Sequence, residues 1–283
     1  MTVAVTTLSA TGERVRVFDE LPELVQHVDN GDLAKLRQLT TQLLQLQPGV
    51  WQFKFTDMEI RGHLGLLVLD GLISRHVTIG EATCAELLGG GDILRPWTEV
   101  EHGFVSIPAE SRWQVVQPTR MAVLNARFAL QIARWPEVTA AIIDRVVQRA
   151  RWLSFHLAVC HIVGVEVRLL IVLWHFADRW GRVTPTGVKL PLPLSHGLLA
   201  GIVGARRPTV STALGVLREQ GLVERTPDGW LLHGSPPLEL HELRARVAAR
   251  EPTIARARGG SPAGSRAAAG EGSVDFAAAR RQR

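Results

Sequence analysis

Cysteine is scarce in this chain of 283 residues, with only Cys84 and Cys160 present. Two thiols exclude a disulfide framework and any four-cysteine iron–sulfur or zinc site. Both are expected as small buried hydrophobes. Long apolar runs are missing as well. The most apolar stretch, 153–176, is interrupted by Glu166 and Arg168, so no membrane span is expected. The opening segment MTVAVTTLSA lacks the basic start and long apolar core of a signal peptide, and the chain therefore reads as cytoplasmic. Catalytic signatures are absent too: there is no nucleophile elbow, no HExxH and no Walker loop, so no enzyme is expected. Gly89-Gly90-Gly91 is followed by no GK[ST] and reads as a turn between strands.

What is present is unevenly placed. Hydrophobic residues make up 46% of the chain, ample for packed cores, and the length suggests two domains. Residues 1–180 carry a net charge of −2, residues 181–233 carry +3, and residues 244–283 carry +6. An acidic front and a basic rear are what a sensor joined to a nucleic-acid reader would show.

The most informative stretch is 194–233, LSHGLLAGIVGARRPTVSTALGVLREQGLVERTPDGWLLH. Ser195 stands where a helix-capping hydroxyl is wanted, and Leu198, Leu199, Ile202 and Val203 then share one helical face. Gly204 ends that run. A second helix starts near Arg207 with Pro208 in its first turn, and Val210, Leu214 and Leu217 bury one side. Gly221 stops it. Residues 222–226, the turn Pro227-Asp228-Gly229 and residues 230–233 read as a two-stranded wing. Two short helices joined by a three-residue turn can seat the second one in a DNA major groove. Arginine bonds a guanine edge in bidentate fashion and hydroxyls reach phosphates or bases. The candidate DNA-binding residues are therefore Arg206, Arg207, Thr209, Ser211, Thr212, Arg218 and Ser195.

Ahead of this unit the texture differs. After an N-terminal segment (1–19), residues 20–47 alternate short helical patterns such as LPELVQHV and LAKLRQLTTQLLQL, a small helical lead-in. From Pro48 to about Phe128, short apolar runs cut by glycine suggest regular short strands of a jelly roll. Pro136 opens a long helix to about Val163. On its wheel Ile142, Val146, Leu153, Leu157, Cys160 and Gly164 fall within about 60°, and Ile143, Val147 and Ala150 widen the arc to roughly 140°. So broad an arc can serve a partner helix across a dimer axis as well as the strands beside it. His156 and Cys160 share a face at i, i+4, but no further ligand cluster completes a metal site, and packing is the expected use. A helix follows over 165–180, with Val167, Leu170, Ile171 and Trp174 inward. Residues 181–193 read as a Pro/Gly-rich linker or short strand.

The order of strands, long helix and winged helix resembles the Crp/Fnr (catabolite-activator-like) family of bacterial transcription regulators over about residues 20–235. The carriers are LVLDGLISRHVTI, LLGGGDILRPW, the helix after RWPEV, VRLLIVLWHFADRWGRV and LPLPLSHGLLAGIVGARRPTVSTALGVLREQGLVER. The resemblance implies an α+β fold: a cyclic-nucleotide-binding-like β jelly roll (20–135), a dimerisation helix (136–164) and a C-terminal winged helix-turn-helix (165–235). A short helix (236–250) and a disordered basic tail (251–283) would follow. It also implies a homodimer on a palindromic operator of double-stranded DNA, with RNA polymerase as a further partner and no membrane. Arg207 matches the family's first base-reading arginine, and Thr209 a threonine near phosphate. Pro208 and Thr212 replace two other base readers, and Arg206 adds a cation, so a different half-site is expected.

The sensor half departs further. Cyclic-nucleotide-binding members carry a Gly-Glu pair for ribose and Arg-Ser/Thr-Ala for the phosphate. Here TEVEHGFVSIPAESRWQVV follows Trp97, with no Phe-Gly-Glu, and Arg112 precedes Trp113-Gln114. No cofactor is expected, a cyclic nucleotide included. His63, His76 and His102 read as satisfied strand histidines rather than haem ligands, and no ligand-binding residue is assigned. The competing expectation is a protein-interaction module whose winged helix docks protein and whose tail touches nucleic acid without sequence preference.

Overall fold

The fold comes from a computed structural model that describes residues 3–6, 12–53, 62–97, 109–236 and 242. It begins with β1 (Val3–Thr6), β2 (Arg14–Val15), α1 (Val17–Glu20), a 3-10 turn at Pro22–Val25, and α2 (Asn30–Arg37). Strands β3 (Thr41–Leu46), β4 (Gly49–Phe53), β5 (Gly65–Ile79), β6 (Ala82–Gly89), β7 (Ile93–Leu94) and β8 (Glu110–Leu124) build the N-terminal barrel. β8 is its spine: β5 pairs along most of its length, and β3 and β4 pair with its other edge. Inside the barrel Leu66, Val68, Ile73, Trp51, Trp97, Trp113 and Met121 form one core. On its outside Leu67, Leu69 and Leu124 meet Phe18, Leu36, Phe128 and Val138 in a second.

Two expectations change here. The run LTTQLLQL is a strand rather than part of a helix: Thr41–Leu46 pairs with β8, and its Thr41 hydroxyl donates to the Val123 carbonyl. Tertiary pairing overrides local helix propensity. Moreover, HLGLLVLDG and LISRHVTIG are not two short strands but one of 15 residues. Gly71 is a bend in mid-strand, with register shifts between Val68 and Ile73. The extra residue switches the inward set from Leu66 and Val68 to Ile73, as a bulge must when side chains alternate with period two. Gly71 has φ +93, and a Cβ there would lie 2.3 Å from the Pro118 carbonyl oxygen. Gly90 and Gly91, by contrast, form the expected turn between β6 and β7.

α3 (Ala126–Ile132) leads into α4 (Pro136–Cys160), 25 residues long, and then α5 (Val165–Trp180). Residues 181–193 hold two strands, β9 (Arg182–Thr184) and β10 (Gly187–Leu190). The C-terminal unit continues with α6 (His196–Val203), α7 (Arg207–Glu219), β11 (Val223–Thr226) and β12 (Gly229–Leu232). Its sheet runs β11-β12-β10-β9, so the wing rests on a second hairpin. Its core joins α5, α6 and α7 to Leu72, Ala85 and Leu87 of the barrel. The helix expected over 236–250 and the tail 251–283 lie outside the described residues, apart from Pro236 and Glu242.

Buried charge ties the barrel to the long helices. Glu86 of β6 takes Arg149 of α4 at 2.5 Å and Arg75 at 3.3 Å. Asp92 takes Arg179 of α5 at 2.8 Å, yet burial outweighs that partner and raises its carboxyl above the usual range. Nearby, the His175 ring packs between Trp152 and Phe155, with centroids 3.9 and 4.3 Å away. Burial, with neighbouring His156 and Arg179, lowers His175 from 6.5 to about 3. Unfolded chains therefore take up a proton that the fold refuses, and stability falls as pH drops through the interval between 6.5 and about 3. His175→Phe should flatten that part of a melting-temperature profile; an unchanged slope would assign it to other groups.

Candidate nucleic-acid interface

The helix-turn-helix forms for local reasons. The Ser195 hydroxyl accepts from the Leu198 N–H at 3.1 Å and caps α6. Gly204, at φ +61 and ψ +47, closes it in the left-handed region. Three residues later α7 begins with Arg207 and Pro208, where no N–H is missed. Val210, Ala213, Leu214 and Leu217 are buried, which braces α7 along one side.

The opposite face of α7 is exposed: Arg206, Arg207, Thr209, Ser211, Thr212 and Arg218 all reach solvent. None of the three arginines has a carboxylate partner among the described residues. The hydroxyls are more committed. Ser211 donates to the Arg207 carbonyl at 3.1 Å, and Thr212 to that of Pro208 at 3.3 Å. Ser195, His196, Gly197 and Arg207 line one groove, where the N-termini of α6 and α7 meet. Helix N-termini favour anions, and an unpaired guanidinium adds to that.

His196 was not among the expected residues. Its Nδ1 lies 2.8 Å from the Ser211 hydroxyl. That hydroxyl donates to the Arg207 carbonyl, so its oxygen is free to accept from the His196 ring. Its place directly after the cap was the available signal. At the wing, Lys189 pairs with Asp228 at 3.1 Å, and Arg225 lies 4.6 Å over the Trp230 ring.

α4 presents a second surface. Ile142 is buried against the barrel, but Ile143, Val146, Val147, Leu153 and Leu157 are 40–64% exposed. Ile143, Val146, Ala150, Leu153 and Leu157 follow the 3–4 spacing of a coiled-coil seam. Cys160 turns away from it, its thiol donating to the Ile202 carbonyl at 3.5 Å. The cysteine expectation is thereby corrected: Cys84 is exposed and Cys160 half-buried, because Cys84 lies near the solvent-facing start of β6.

In the barrel, Arg112 is exposed on β8 opposite His76, and both border a cavity also lined by Trp51, Phe53 and Trp113. His76 lies 3.1 Å from the Ser74 hydroxyl, and His63 meets Trp97 edge-on. His102 and the rest of 98–108 lie outside the described residues. Among the described residues no three His, Cys, Asp or Glu side chains gather as metal ligands, and no helix is long and apolar enough to cross a membrane.

Barrel, long helix and braced cationic helix place the chain in the class of winged helix-turn-helix proteins with an N-terminal β-barrel. More narrowly, residues 167–233 match the family model of the Crp-like helix-turn-helix domain. Similar solved structures share the fold over 72–87% of this chain. A mutant of CooA from Carboxydothermus hydrogenoformans has a TM-score of 0.55 at 19% identity, over 87% of this chain and all (100%) of that one. FixK2 from Bradyrhizobium japonicum has 0.52 at 16%, over 72% and 98%. A CRP-family transcriptional regulator from Thermus thermophilus has 0.51 at 17%, over 72% and 96%. No curated protein sequence matches the chain.

Proposed function

We propose that the chain is a sequence-specific, non-enzymatic DNA-binding transcription regulator acting as a homodimer. The observation that carries this is the exposed face of α7, where unpaired Arg206, Arg207 and Arg218 stand on a helix held by its apolar side. Arg207 reads a base edge. Arg206, Thr209 and Ser195 contact phosphate, while Ser211, Thr212 and Arg218 complete the footprint. The exposed seam of α4 takes a second copy, which sets two α7 helices about one DNA turn apart on a palindromic operator. RNA polymerase is a further partner. The barrel takes no cyclic nucleotide: Arg112, followed by Trp113-Gln114, lacks the residues that would complete a phosphate cradle.

Selection of bound duplexes from genomic fragments tests the reading. The enriched sites should be palindromic. The logarithm of affinity should fall with the logarithm of salt by about 0.9 per phosphate contacted. If all DNA binding vanishes on deleting residues 251–283, the winged helix is a protein-docking module instead.

A further inference from the structure

We infer that His196 makes a proton-linked contact to a DNA phosphate: the ring takes up a proton as the duplex binds, and Ser211 is the residue that positions it. The inference rests on the proposed DNA-reading role. His196 ties three elements of the winged helix together. It opens α6, its Nδ1 lies 2.8 Å from the Ser211 hydroxyl of α7, and its ring lies against Trp230 of β12 with centroids 6.4 Å apart. A ring held by a bond on one side and an indole on another has its orientation fixed before the duplex arrives. It is half-buried and borders the groove that Arg207, the proposed base reader, also lines.

The proton requirement follows from counting donors. Ser211 has one hydroxyl proton, and its bond to the Arg207 carbonyl uses it. While that bond is kept, the contact with His196 is a donation from Nδ1. Nε2 has no partner among the described residues. A phosphate oxygen only accepts, so Nε2 must meet it with a second N–H, and a ring carrying both protons is the imidazolium. Histidine is the side chain that changes charge near neutral pH. The charged groups around the ring are Arg207 in the groove and Arg225, which lies over Trp230; among the described residues no carboxylate pairs with it. The anion that balances a charged ring therefore comes from outside, and the duplex supplies it. Ser211 enters the footprint through the ring it holds.

The test measures affinity of the full-length protein for an enriched duplex at about pH 8 and about pH 6, over a salt series. A proton taken up on binding makes affinity rise as pH falls. The wild-type gain should be about tenfold, the worth of one charge-assisted bond. The salt slope should steepen at the lower pH by about 0.9 per ring. His196→Asn, which can still bond Ser211 but cannot become charged, should lose both changes. His196→Lys, a permanent cation, should show the steep slope at both pH values. Ser211→Ala, whose ring has lost its anchor, should keep only part of the gain. Three results overturn the inference alone. One is a wild type without a pH response, which makes Ser211 the donor to Nδ1. Another is a full wild-type response in His196→Asn. The third is an equal loss at both pH values in Ser211→Ala beside an unaffected His196→Asn, which makes Ser211 itself the DNA contact. Absence of binding to any duplex overturns the proposed function and the inference together.

Discussion

Arg207→Ala should cost specific duplex binding about 1–3 kcal/mol, roughly 5–160-fold, while leaving weak non-specific binding largely in place. The substitution removes a guanidinium that neither an ion pair nor packing holds in the free protein. Position 207 is the first residue of α7, and Val210, Leu214 and Leu217 still brace the helix, so the fold should not register the change. The loss is therefore assignable to the interface. Arg207→Lys sharpens the point. A lysine keeps the charge but not the planar two-pronged donor, so it should restore salt-dependent attraction and not discrimination. Fluorescence anisotropy on an enriched duplex and a scrambled one gives the ratio that matters. An unchanged ratio in Arg207→Ala would remove this residue as a reader and shift attention to Arg206 or Arg218.

Leu157→Asp should separate the proposed dimer into protomers and lower operator affinity by about 10²–10⁴-fold, the advantage that linking two half-site contacts confers. Leu157 is 64% exposed in the protomer, and Leu153, one turn earlier, is 41% exposed. A carboxylate there costs the isolated chain little. Between two apolar helices, however, each would be desolvated beside its symmetry mate, which is strongly unfavourable. Sedimentation should report half the wild-type mass, while thermal unfolding of the dilute protomer stays near wild type. A dimeric Leu157→Asp would place the subunit contact elsewhere and leave the stripe on α4 without its assigned occupant.

Legibility tracked locality. The winged helix was readable because its instructions sit within a few residues of their effects. Ser195 caps its own helix, Gly204 makes its own turn, and the 3–4 spacing of Val210, Leu214 and Leu217 needs no distant partner to declare a buried side. The barrel was readable only as a texture. Leu67 and Leu69 pack under helices while Leu66 and Val68 point inward, so both faces are apolar and the strand alternation is blurred. The bend at Gly71 has the look of a turn in sequence, because only the chain crossing at Pro118 and Thr119 shows it to be a bulge.

The exposure of the two cysteines, the Ser211–His196 contact and the hairpin over 182–190 were invisible for the same reason. Each depends on what a residue far along the chain places beside it. Composition, periodicity and capping pointed by themselves to a barrel-like front, a long helix and a winged helix-turn-helix rear. Tertiary structure alone decided which apolar stripe of α4 stays uncovered, which arginines remain unpaired and where two scarce thiols lie. Side-chain periodicity tells which way a residue points along its own element; what waits there is set by long-range packing.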